Sequence, residues 1–397
     1  MSKIDLTKYI QKLVSDGEIA CGLLTVRKND TVVLKGKWGY ADLRAKKEVQ
    51  YTDIFRMMSM TKPVIAVGVL KLIDDGKLSL DDSVADYLPE FKNMRVICDK
   101  RFRWKEKMNP LSTVLKLAFF NHITPKTVPA ERDVTVRDLL SHSSGLEQGV
   151  WGFMAAIRNK EKRSATKEVS ERYGKYYLDW QPGTMTSYSA LASFDVLTRL
   201  IEVVSEKEAD IFFDEEIFKP LNMTSTTFYA PKKDLVRLYK HTKKGLKDVT
   251  GTASDVNGFI KMNNGYICGS GGLYSTLEDY ERFIRMLCMG GELDGVRILK
   301  EETVKRMHAE APEKHLEPEP GQVWGLGVRI RQDSKKGDFN ATEGTYGWSG
   351  AFGTHFFISP EDKLEALWLT NISNAGGSGY KVSKKIERLV FESFKEV

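Results

Sequence analysis

The sequence of 397 residues predicts an α+β fold, in which one antiparallel sheet is flanked by helices and carries an inserted all-helical lobe. Strand-like alternation of apolar and polar residues occurs towards both ends of the chain, whereas the middle has helical spacing. Strands and helices segregated in this way are typical of α+β architectures. We therefore expect a discontinuous sheet domain over residues 1–80 and 250–397, a mainly helical domain over 81–249, and a functional site at their interface.

The composition excludes several kinds of function. The 60 basic and 54 acidic residues give a formal net charge of +6, too small to indicate a nucleic-acid-binding surface. The sequence contains no Cys-x-x-Cys pair and no His-Glu-x-x-His motif, so neither a disulfide framework nor a metal site is expected. Apolar residues near the N-terminus recur with helical spacing, unlike an export signal or a membrane span. We expect a cytoplasmic protein without a metal, a cofactor or a membrane span, and leave its oligomeric state open.

Local patterns predict the first elements. Alternating residues on both sides of Asn29-Asp30 predict a β-hairpin with a tight turn. The later stretch VIAVGVLKLI is apolar on nearly every face, which is typical of a buried helix. Pro63 suits the first turn of that helix and Gly76 suits its end, so we expect the helix to begin close to Ser59.

The rest of the chain divides into a helical middle and a strand-rich end. Helical spacing runs through SVADYLPEF, TVRDLLSHSSGL and ALASFDVLTRLIEVVSEK. Residues 95–133 are irregular and basic; we interpret them as a surface loop, with a flap over the site as the alternative. The segments GQVWGLGVRIRQ, TYGWSGAFGTHFFISP and KLEALWLTNIS predict short strands, and YKVSKKIERLVFESFK predicts a closing helix.

The most informative short pattern is MMSMTKP, in which Ser59 and Lys62 are three residues apart. Residues at this spacing lie on one face of a helix. A serine hydroxyl becomes an effective nucleophile only when a base lies within hydrogen-bond reach, and a deprotonated lysine can be that base. The helix N-terminus adds backbone N–H groups that can stabilise an oxyanion. The pattern therefore makes Ser59 a candidate nucleophile and Lys62 its candidate base.

This spacing alone is not specific, because the chain contains it twice more. Ser164 and Lys167 lie in a polar stretch, whereas Ser378 and Lys381 follow a glycine-rich turn and lead into an amphipathic helix. Only the first pair precedes an apolar helix, so context and not spacing favours it.

Two later segments add candidates. In QPGTMTSYS, Tyr188 lies between a Pro-Gly turn and a helix, where its hydroxyl can transfer protons. A half-buried tyrosine with a capped hydroxyl is the structural alternative. In TYGWSGAFG, glycines punctuate a strand, which indicates either close approach of a ligand to the backbone or an edge strand that needs room to pack.

These three segments, in this order, resemble the serine hydrolases of the class C β-lactamase and penicillin-binding-protein superfamily. Phrases such as KLSLDDSVADYLPEF, IFKPLNMTSTTF and GSGGLYSTLEDYERF extend the resemblance over nearly the whole chain. The resemblance implies a β-lactamase/transpeptidase-like fold. It also implies that Ser59 is acylated, that Lys62 is its base and that Tyr188 passes a proton to the leaving group. The backbone N–H groups of Ser59 and Ala351 are then expected to form the oxyanion hole.

Two motifs depart from the superfamily pattern. Tyr188-Ser189-Ala190 stands where Tyr-x-Asn is usual, and Trp348-Ser349-Gly350 stands where true β-lactamases have Lys-Thr-Gly. The second change replaces a lysine that pairs with a substrate carboxylate by an uncharged indole. Trp-x-Gly resembles the esterase branch of the superfamily, often called family VIII carboxylesterases. The resemblance therefore assigns Trp348, Ser349 and Gly350 to substrate binding.

The resemblance implies a cofactor-free serine hydrolase that forms an acyl-enzyme on Ser59. A small neutral ester is the favoured substrate, and an amide stays open. A D-alanyl-type peptidase, a penicillin-binding protein or a weak β-lactamase is one alternative. A catalytically silent binding or regulatory scaffold is another, and acyl transfer to an alcohol in place of water also stays open.

Overall fold

A computed structural model of the protein describes residues 3–99, 124–147, 166–252, 254–255, 266–309, 320–336 and 341–394. An eight-stranded antiparallel sheet with helices packed on both faces forms its centre. The predicted antiparallel sheet flanked by helices is therefore confirmed. None of the described helices is long and apolar enough to cross a membrane.

The strands and helices of the described residues are numbered in chain order. The strands are β1 (Cys21–Lys28), β2 (Thr31–Asp42), β3 (Lys47–Glu48), β4 (Phe55–Arg56), β5 (Arg95–Ile97), β6 (Thr127–Pro129), β7 (Tyr239–Thr242), β8 (Gly245–Asp248), β9 (Tyr274–Ser275), β10 (Glu292–Leu293), β11 (Val296–Arg297), β12 (Gln322–Trp324), β13 (Arg329–Arg331), β14 (Tyr346–Ser349), β15 (His355–Ser359) and β16 (Leu364–Leu369). The α-helices are α1 (Lys3–Ser15), α2 (Thr61–Asp74), α3 (Val84–Tyr87), α4 (Val136–Leu140), α5 (Thr166–Tyr173), α6 (Ala192–Ser205), α7 (Ala209–Phe213), α8 (Leu277–Cys288), α9 (Glu301–Met307) and α10 (Lys381–Phe394).

The central sheet joins the two ends of the chain. Its strand order is β12-β13-β14-β15-β16-β1-β2-β3. Strand β1 pairs antiparallel with β16, with Leu23 opposite Leu369, so the prediction of one sheet built from both ends is confirmed. The predicted hairpin between β1 and β2 is also present. Asn29 and Asp30 have φ angles of 49° and 59°, the left-handed values that a tight hairpin turn requires.

Helices pack on both faces of this sheet. On one face, α1 and α10 join a core that includes Leu24, Trp368 and Phe391. On the other face, α2 and α8 join a larger core that includes Leu23 and Leu367. Because successive side chains of a strand point to opposite faces, the neighbours Leu23 and Leu24 enter different cores.

Helix α2 is buried, as its composition predicts. Every residue from Thr61 to Leu70 is buried. A Cβ on Gly68 would collide with the ring of Phe213, so α2 and α7 approach closely at this glycine. Gly76 follows the helix with a φ of 72°, the left-handed conformation that commonly ends helices.

The region between the two parts of the sheet differs in part from the prediction. Helices α3 to α7 occur there, but residues 95–133 are not irregular throughout. Strand β5 pairs with β6, with Val96 opposite Val128, because β-branched residues stand among the basic ones. The predicted loop or flap falls mainly on residues 100–123, which lie outside the described residues. The division into a sheet domain and a helical domain stays a prediction.

Candidate active site

Ser59 lies in a tight turn directly before α2. The turn, Met58–Met60, is a 3₁₀ segment, and the α-helix begins at Thr61. Met58 has a φ of 52°, which is uncommon for a residue other than glycine. Such a conformation costs on the order of 1–3 kcal/mol and is found most often at functional sites. Ser59 is partly exposed, in contrast to the buried helix that follows it.

Hydrogen bonds from distant parts of the chain fix this turn. The backbone N–H of Met57 donates to the carbonyl of Leu273 at 2.9 Å. The Thr354 hydroxyl donates to the Met57 carbonyl at 3.2 Å. The Tyr280 hydroxyl donates to the Met60 carbonyl at 2.8 Å. Tertiary contacts therefore sustain the strained backbone that presents the serine.

The structure brings Ser59, Lys62 and Tyr188 together. The Tyr188 hydroxyl donates a hydrogen bond to Ser59 Oγ at 2.7 Å. Lys62 Nζ lies 3.4 Å from the same oxygen. Only 1% of Lys62 is exposed, whereas Ser59 and Tyr188 are both partly exposed. One serine oxygen thus contacts a buried amine and a phenol, as nucleophilic catalysis by serine requires.

Two backbone carbonyls hold Lys62 at this position. Its Nζ donates to the Ala190 carbonyl at 2.8 Å and to the Ser270 carbonyl at 2.6 Å. A protonated lysine satisfies three acceptors here, the two carbonyls and Ser59 Oγ. A neutral lysine gives both of its hydrogens to the carbonyls, which leaves its lone pair for the Ser59 proton. The geometry therefore accommodates both protonation states that a general base needs.

Two buried carboxylates position the segments that carry these carbonyls. Glu147 accepts hydrogen bonds from the backbone N–H groups of Leu191 at 3.2 Å and Ala192 at 2.6 Å, at the start of α6. Asp195 on α6 accepts from the backbone N–H of Ser270 at 3.1 Å. The sequence assigned neither carboxylate to the site. No short sequence pattern marks either carboxylate as part of the site.

An aromatic cluster surrounds the ring of Tyr188. Trp324 stacks on it with centroids 5.5 Å apart and an interplanar angle of 11°. Trp348 and His142 approach it at 5.2 and 5.1 Å. His142 Nδ1 also accepts the backbone N–H of Ser189 at 3.2 Å, which fixes the chain next to the tyrosine. Sequence analysis did not assign Trp324 to the site. Trp324 lies in the predicted strand segment GQVWGLGVRIRQ, between two glycines that could have indicated close packing.

Burial and the nearby charge of Lys62 hold the pKa of His142 well below its usual range. The neutral imidazole therefore belongs to the folded state, whereas the unfolded chain takes up a proton below about pH 6.5. A group with a depressed folded pKa contributes stability that is present above its unfolded pKa and is lost as the pH falls. Acidification should therefore weaken the fold through this histidine.

We expect His142→Asn to reduce that loss. Asparagine tolerates the left-handed backbone of His142, which has a φ of 56°, and its side-chain oxygen can still accept the Ser189 N–H. Between pH 7 and pH 5 the wild type should lose about 2 kcal/mol more unfolding free energy than the variant. Urea unfolding at both pH values measures this difference. Equal losses of unfolding free energy for the wild type and His142→Asn would contradict the assignment.

The Trp348-Ser349-Gly350 segment ends β14, and its side chains diverge. Trp348 contacts Tyr188 and packs edge-to-face on Trp324 at 4.6 Å. The Ser349 hydroxyl instead bonds His355 Nδ1 at 2.8 Å. Because neighbouring side chains of a strand point to opposite faces, the structure places the Ser349 side chain away from the Tyr188 cluster.

Gly350 brings the end of β14 against the serine turn. A Cβ on Gly350 would collide with the Met57 carbonyl and the Thr354 hydroxyl, so the approach requires glycine. Ala351 follows and is partly exposed. Within the described residues, the backbone N–H groups of Ser59 and Ala351 donate to no other backbone group. Both donors of the expected oxyanion hole are therefore available.

The other Ser-x-x-Lys pairs have different surroundings. Ser378 lies in the short turn Gly377–Gly379, and Lys381 at the start of α10 is exposed. Ser164 lies outside the described residues. Lys381 is exposed and Lys62 is buried, although both follow a serine at the same spacing. The surroundings of each pair, and not its spacing, therefore distinguish them. Within the described ranges, no cluster of three or more His, Cys, Asp and Glu side chains could hold a metal ion.

Comparisons with known proteins identify a family and individual relatives. A family model described as Beta-lactamase matches residues 6–386. Protein Rv1367c of Mycobacterium tuberculosis (strain ATCC 25618 / H37Rv) is 28% identical over 376 residues, which cover 90% of this chain and 87% of that protein. A protein of Salmonella agona (strain SL483), provisionally named a D-alanyl-D-alanine carboxypeptidase, is 24% identical over 407 residues, covering 96% of this chain and 85% of that protein.

A solved structure shares the fold. EstCE1, described as a hydrolase with promiscuous acyltransferase activity, superposes with a TM-score of 0.75 at 22% identity. The superposition covers 97% of each chain. The expected β-lactamase/transpeptidase-like fold is therefore confirmed over nearly the whole length.

Proposed function

This chain belongs to the β-lactamase family and is a serine hydrolase, and from that premise we propose that it forms an acyl-enzyme on Ser59 and hydrolyses small neutral esters. The observation that carries the proposal is the convergence of the Tyr188 hydroxyl and the Lys62 amine on the Ser59 oxygen. Buried Lys62 supplies a base next to an accessible nucleophile.

Acylation uses these groups in sequence. Lys62 takes the proton of Ser59 while Oγ attacks the ester carbonyl carbon, so a C–O bond forms and the carbonyl oxygen becomes an oxyanion. The backbone N–H groups of Ser59 and Ala351 stabilise that oxyanion. Collapse of the intermediate breaks the bond to the alkoxide, and Tyr188 gives the alkoxide its proton. The ammonium of Lys62 returns a proton to Tyr188, so an alcohol leaves and the acyl group stays on the serine.

Deacylation reverses the proton movements with water as the nucleophile. Tyr188 takes a proton from the water and passes its own proton to the neutral Lys62 amine as the water oxygen attacks the acyl carbonyl. The new tetrahedral oxyanion accepts from the same two N–H groups. Its collapse breaks the bond to Ser59 Oγ, which takes the proton back from the ammonium of Lys62. The products are the carboxylic acid and the free enzyme. Lys62 stays hydrogen-bonded to both carbonyls throughout, which fixes its amine for the two half-reactions.

The preference for a neutral ester rests on two side chains. Trp348 stands where the Lys-Thr-Gly motif of true β-lactamases has its lysine, and it packs on Tyr188 beside the nucleophile. An indole offers an apolar wall and no cation for a substrate carboxylate. Ala190 stands where the Tyr-x-Asn motif has its asparagine, so no side-chain amide grips a peptide or lactam at that position. Both changes favour uncharged substrates without a peptide-like amide.

A substrate panel tests the proposal. We expect the protein to turn over p-nitrophenyl acetate and butyrate faster than penicillin or a peptide that ends in D-Ala-D-Ala. The carboxylate of the last two has no lysine of a Lys-Thr-Gly motif to pair with. Turnover by absorbance and intact-protein mass spectrometry provide the comparison. A stable penicillin adduct with little ester turnover would reject the esterase proposal in favour of a penicillin-binding protein.

We expect Trp348→Lys to shift the preference towards anionic substrates. A lysine at this position restores the charge that pairs with a carboxylate, so the rate of penicillin acylation should rise about tenfold, the equivalent of one modest ion pair. Ester turnover should fall as the apolar wall is lost. Trp348→Phe is the matched control, because it keeps an uncharged ring and should leave the ratio of the two rates unchanged. No gain in penicillin acylation would contradict the role given to Trp348.

The peptidase alternative is supported by the provisional carboxypeptidase name of the Salmonella agona relative. Release of D-alanine from a peptide that ends in D-Ala-D-Ala, measured in the same panel, would favour it. Acyl transfer uses the same acyl-enzyme with an alcohol in place of water. Product analysis with and without an added alcohol separates transfer from hydrolysis.

A further inference from the structure

A buried hydrogen-bonded chain lies behind the Trp348-Ser349-Gly350 segment. The Ser349 hydroxyl contacts His355 Nδ1 at 2.8 Å, and His355 Nε2 contacts Glu387 Oε2 at 2.9 Å. The three residues are each 3% exposed, so the network lies in the protein interior. Because Glu387 lies on α10, the chain connects the end of β14 to the C-terminal helix. Sequence analysis assigned no catalytic role to His355 or Glu387.

This hydrogen-bonded network reaches the turn that carries Ala351, the expected oxyanion donor. Ser349 and His355 are the last opposed pair of β14 and β15, and the backbone between them contains Ala351. Two backbone bonds close this turn, from Gly350 N–H to the Thr354 carbonyl at 2.8 Å and from Gly353 N–H to the Gly350 carbonyl at 3.0 Å. A side-chain bond across the last pair therefore sets how far the strands can separate at the turn.

A second contact from α10 reaches the same turn. Ser383 Oγ donates to the Gly353 carbonyl at 2.9 Å. Ser383 and Glu387 are four residues apart, so they lie on one face of the helix. Both are buried, at 2% and 3% exposure. One face of α10 therefore bonds the turn directly through Ser383 and indirectly through Glu387.

The charged neighbours of Glu387 favour its ionised form. Burial alone would raise the pKa of Glu387, but the hydrogen bond and charge of His355 and the charges of Arg329 and Arg331 outweigh it and hold the pKa below its usual value. Arg329 lies 3.6 Å from Glu387. An ionised carboxylate only accepts, so His355 donates to Glu387 through Nε2, and its Nδ1 shares a hydrogen bond with the Ser349 hydroxyl. The Ser349 hydroxyl and both ring nitrogens of His355 then have hydrogen-bond partners within this network.

We propose that Ser349, His355, Glu387 and Ser383 are positioning residues through which α10 holds the Ala351 N–H at the distance from Ser59 that an oxyanion requires. The inference rests on the proposed acyl-enzyme function for its catalytic consequence. Small displacements of an oxyanion donor weaken transition-state stabilisation but leave ground-state binding intact. Loss of these positioning contacts should therefore lower kcat with little change in KM.

Ser349→Ala and Glu387→Gln test this proposal. We expect kcat for p-nitrophenyl butyrate to fall about tenfold to a hundredfold, less than or similar to the loss of one whole oxyanion donor, with KM within about twofold. Ser349→Thr keeps the hydroxyl and should recover kcat to within about threefold of the wild type. Amide hydrogen exchange of the peptide that spans residues 350–354 should accelerate in Ser349→Ala and Glu387→Gln but not in Ser349→Thr.

Val390→Ala is the matched control, because Val390 is a fully buried residue of α10 outside the polar contacts. It should lower the melting temperature through lost packing, yet keep kcat and the exchange of residues 350–354. The proposal is overturned when Ser349→Ala and Glu387→Gln keep wild-type kcat and exchange, or when all variants lose kcat in proportion to melting temperature. An inactive wild type would reject the proposed function instead. Hydrogen exchange would still show whether Ser349 and Glu387 hold the turn of residues 350–354.

Discussion

Replacing Ser59 with alanine should abolish ester turnover. The serine oxygen accepts the Tyr188 hydrogen bond and lies 3.4 Å from Lys62 Nζ, and alanine removes the bond-forming group itself. Loss of a serine nucleophile lowers kcat on the order of 10⁴-fold or more, since the remaining donors only bind the substrate. Steady-state turnover of p-nitrophenyl butyrate measures the loss. Incubation with a fluorophosphonate should give a single adduct that maps to Ser59 and is absent from the variant.

The chain supplies a matched control for this experiment. Ser378→Ala changes the serine of a second Ser-x-x-Lys pair, outside the Ser59 hydrogen bonds, and should keep turnover within about threefold of the wild type. Activity of Ser59→Ala within a few-fold of the wild type would rule out the proposed nucleophile. No adduct on the wild type with any probe would leave the fold and family unchanged and favour a catalytically silent scaffold.

Lys62→Met should produce the second large loss. Methionine has a similar length but cannot accept the Ser59 proton, so acylation loses its general base. Removing such a base typically costs about 10²–10⁴-fold. The substitution also leaves the carbonyls of Ala190 and Ser270 without their donor, which should loosen the segment after Tyr188. Single-turnover acylation by p-nitrophenyl butyrate measures the chemical step, and the melting temperature reports the structural cost.

Two variants separate these contributions. Lys381→Met changes the exposed lysine of the second pair and should leave acylation unchanged. Tyr188→Phe keeps the aromatic cluster but removes the hydroxyl that bonds Ser59. If acylation survives in Lys62→Met and is lost in Tyr188→Phe, Tyr188 is the base and the role given to Lys62 is wrong.

Several features of the fold and of the candidate site could be predicted from the sequence because they depend on local pattern. The period of apolar residues predicts the β1–β2 hairpin and the buried helix α2. Asn29, Asp30 and Gly76 adopt the left-handed backbone that their residue types favour. Ser59 and Lys62 face one another because three residues nearly complete a helical turn. The order of the three motifs then sufficed for the resemblance that the comparisons confirm.

The tertiary structure alone decided which groups surround these residues. Ala190 and Ser270 are 128 and 208 positions from Lys62, and no local pattern reports contacts at such separations. The same holds for Glu387, which lies 32 positions from His355 on another element. The resemblance of Trp348-Ser349-Gly350 to the third family motif assigned Ser349 to substrate binding. The alternation of side chains along β14 instead directs its hydroxyl to His355.

The sequence by itself determined the chemistry that is present: a serine and a lysine at the start of a buried helix, a tyrosine before another, and an uncharged residue in the third motif. Only the tertiary structure decided how that chemistry is held, because the positions of the Lys62 amine, the Tyr188 ring and the Ala351 turn depend on packing among elements far apart in the chain. Residue type sets what a group can donate or accept, whereas distance and burial, which set how strongly it acts, arise only when the elements pack together.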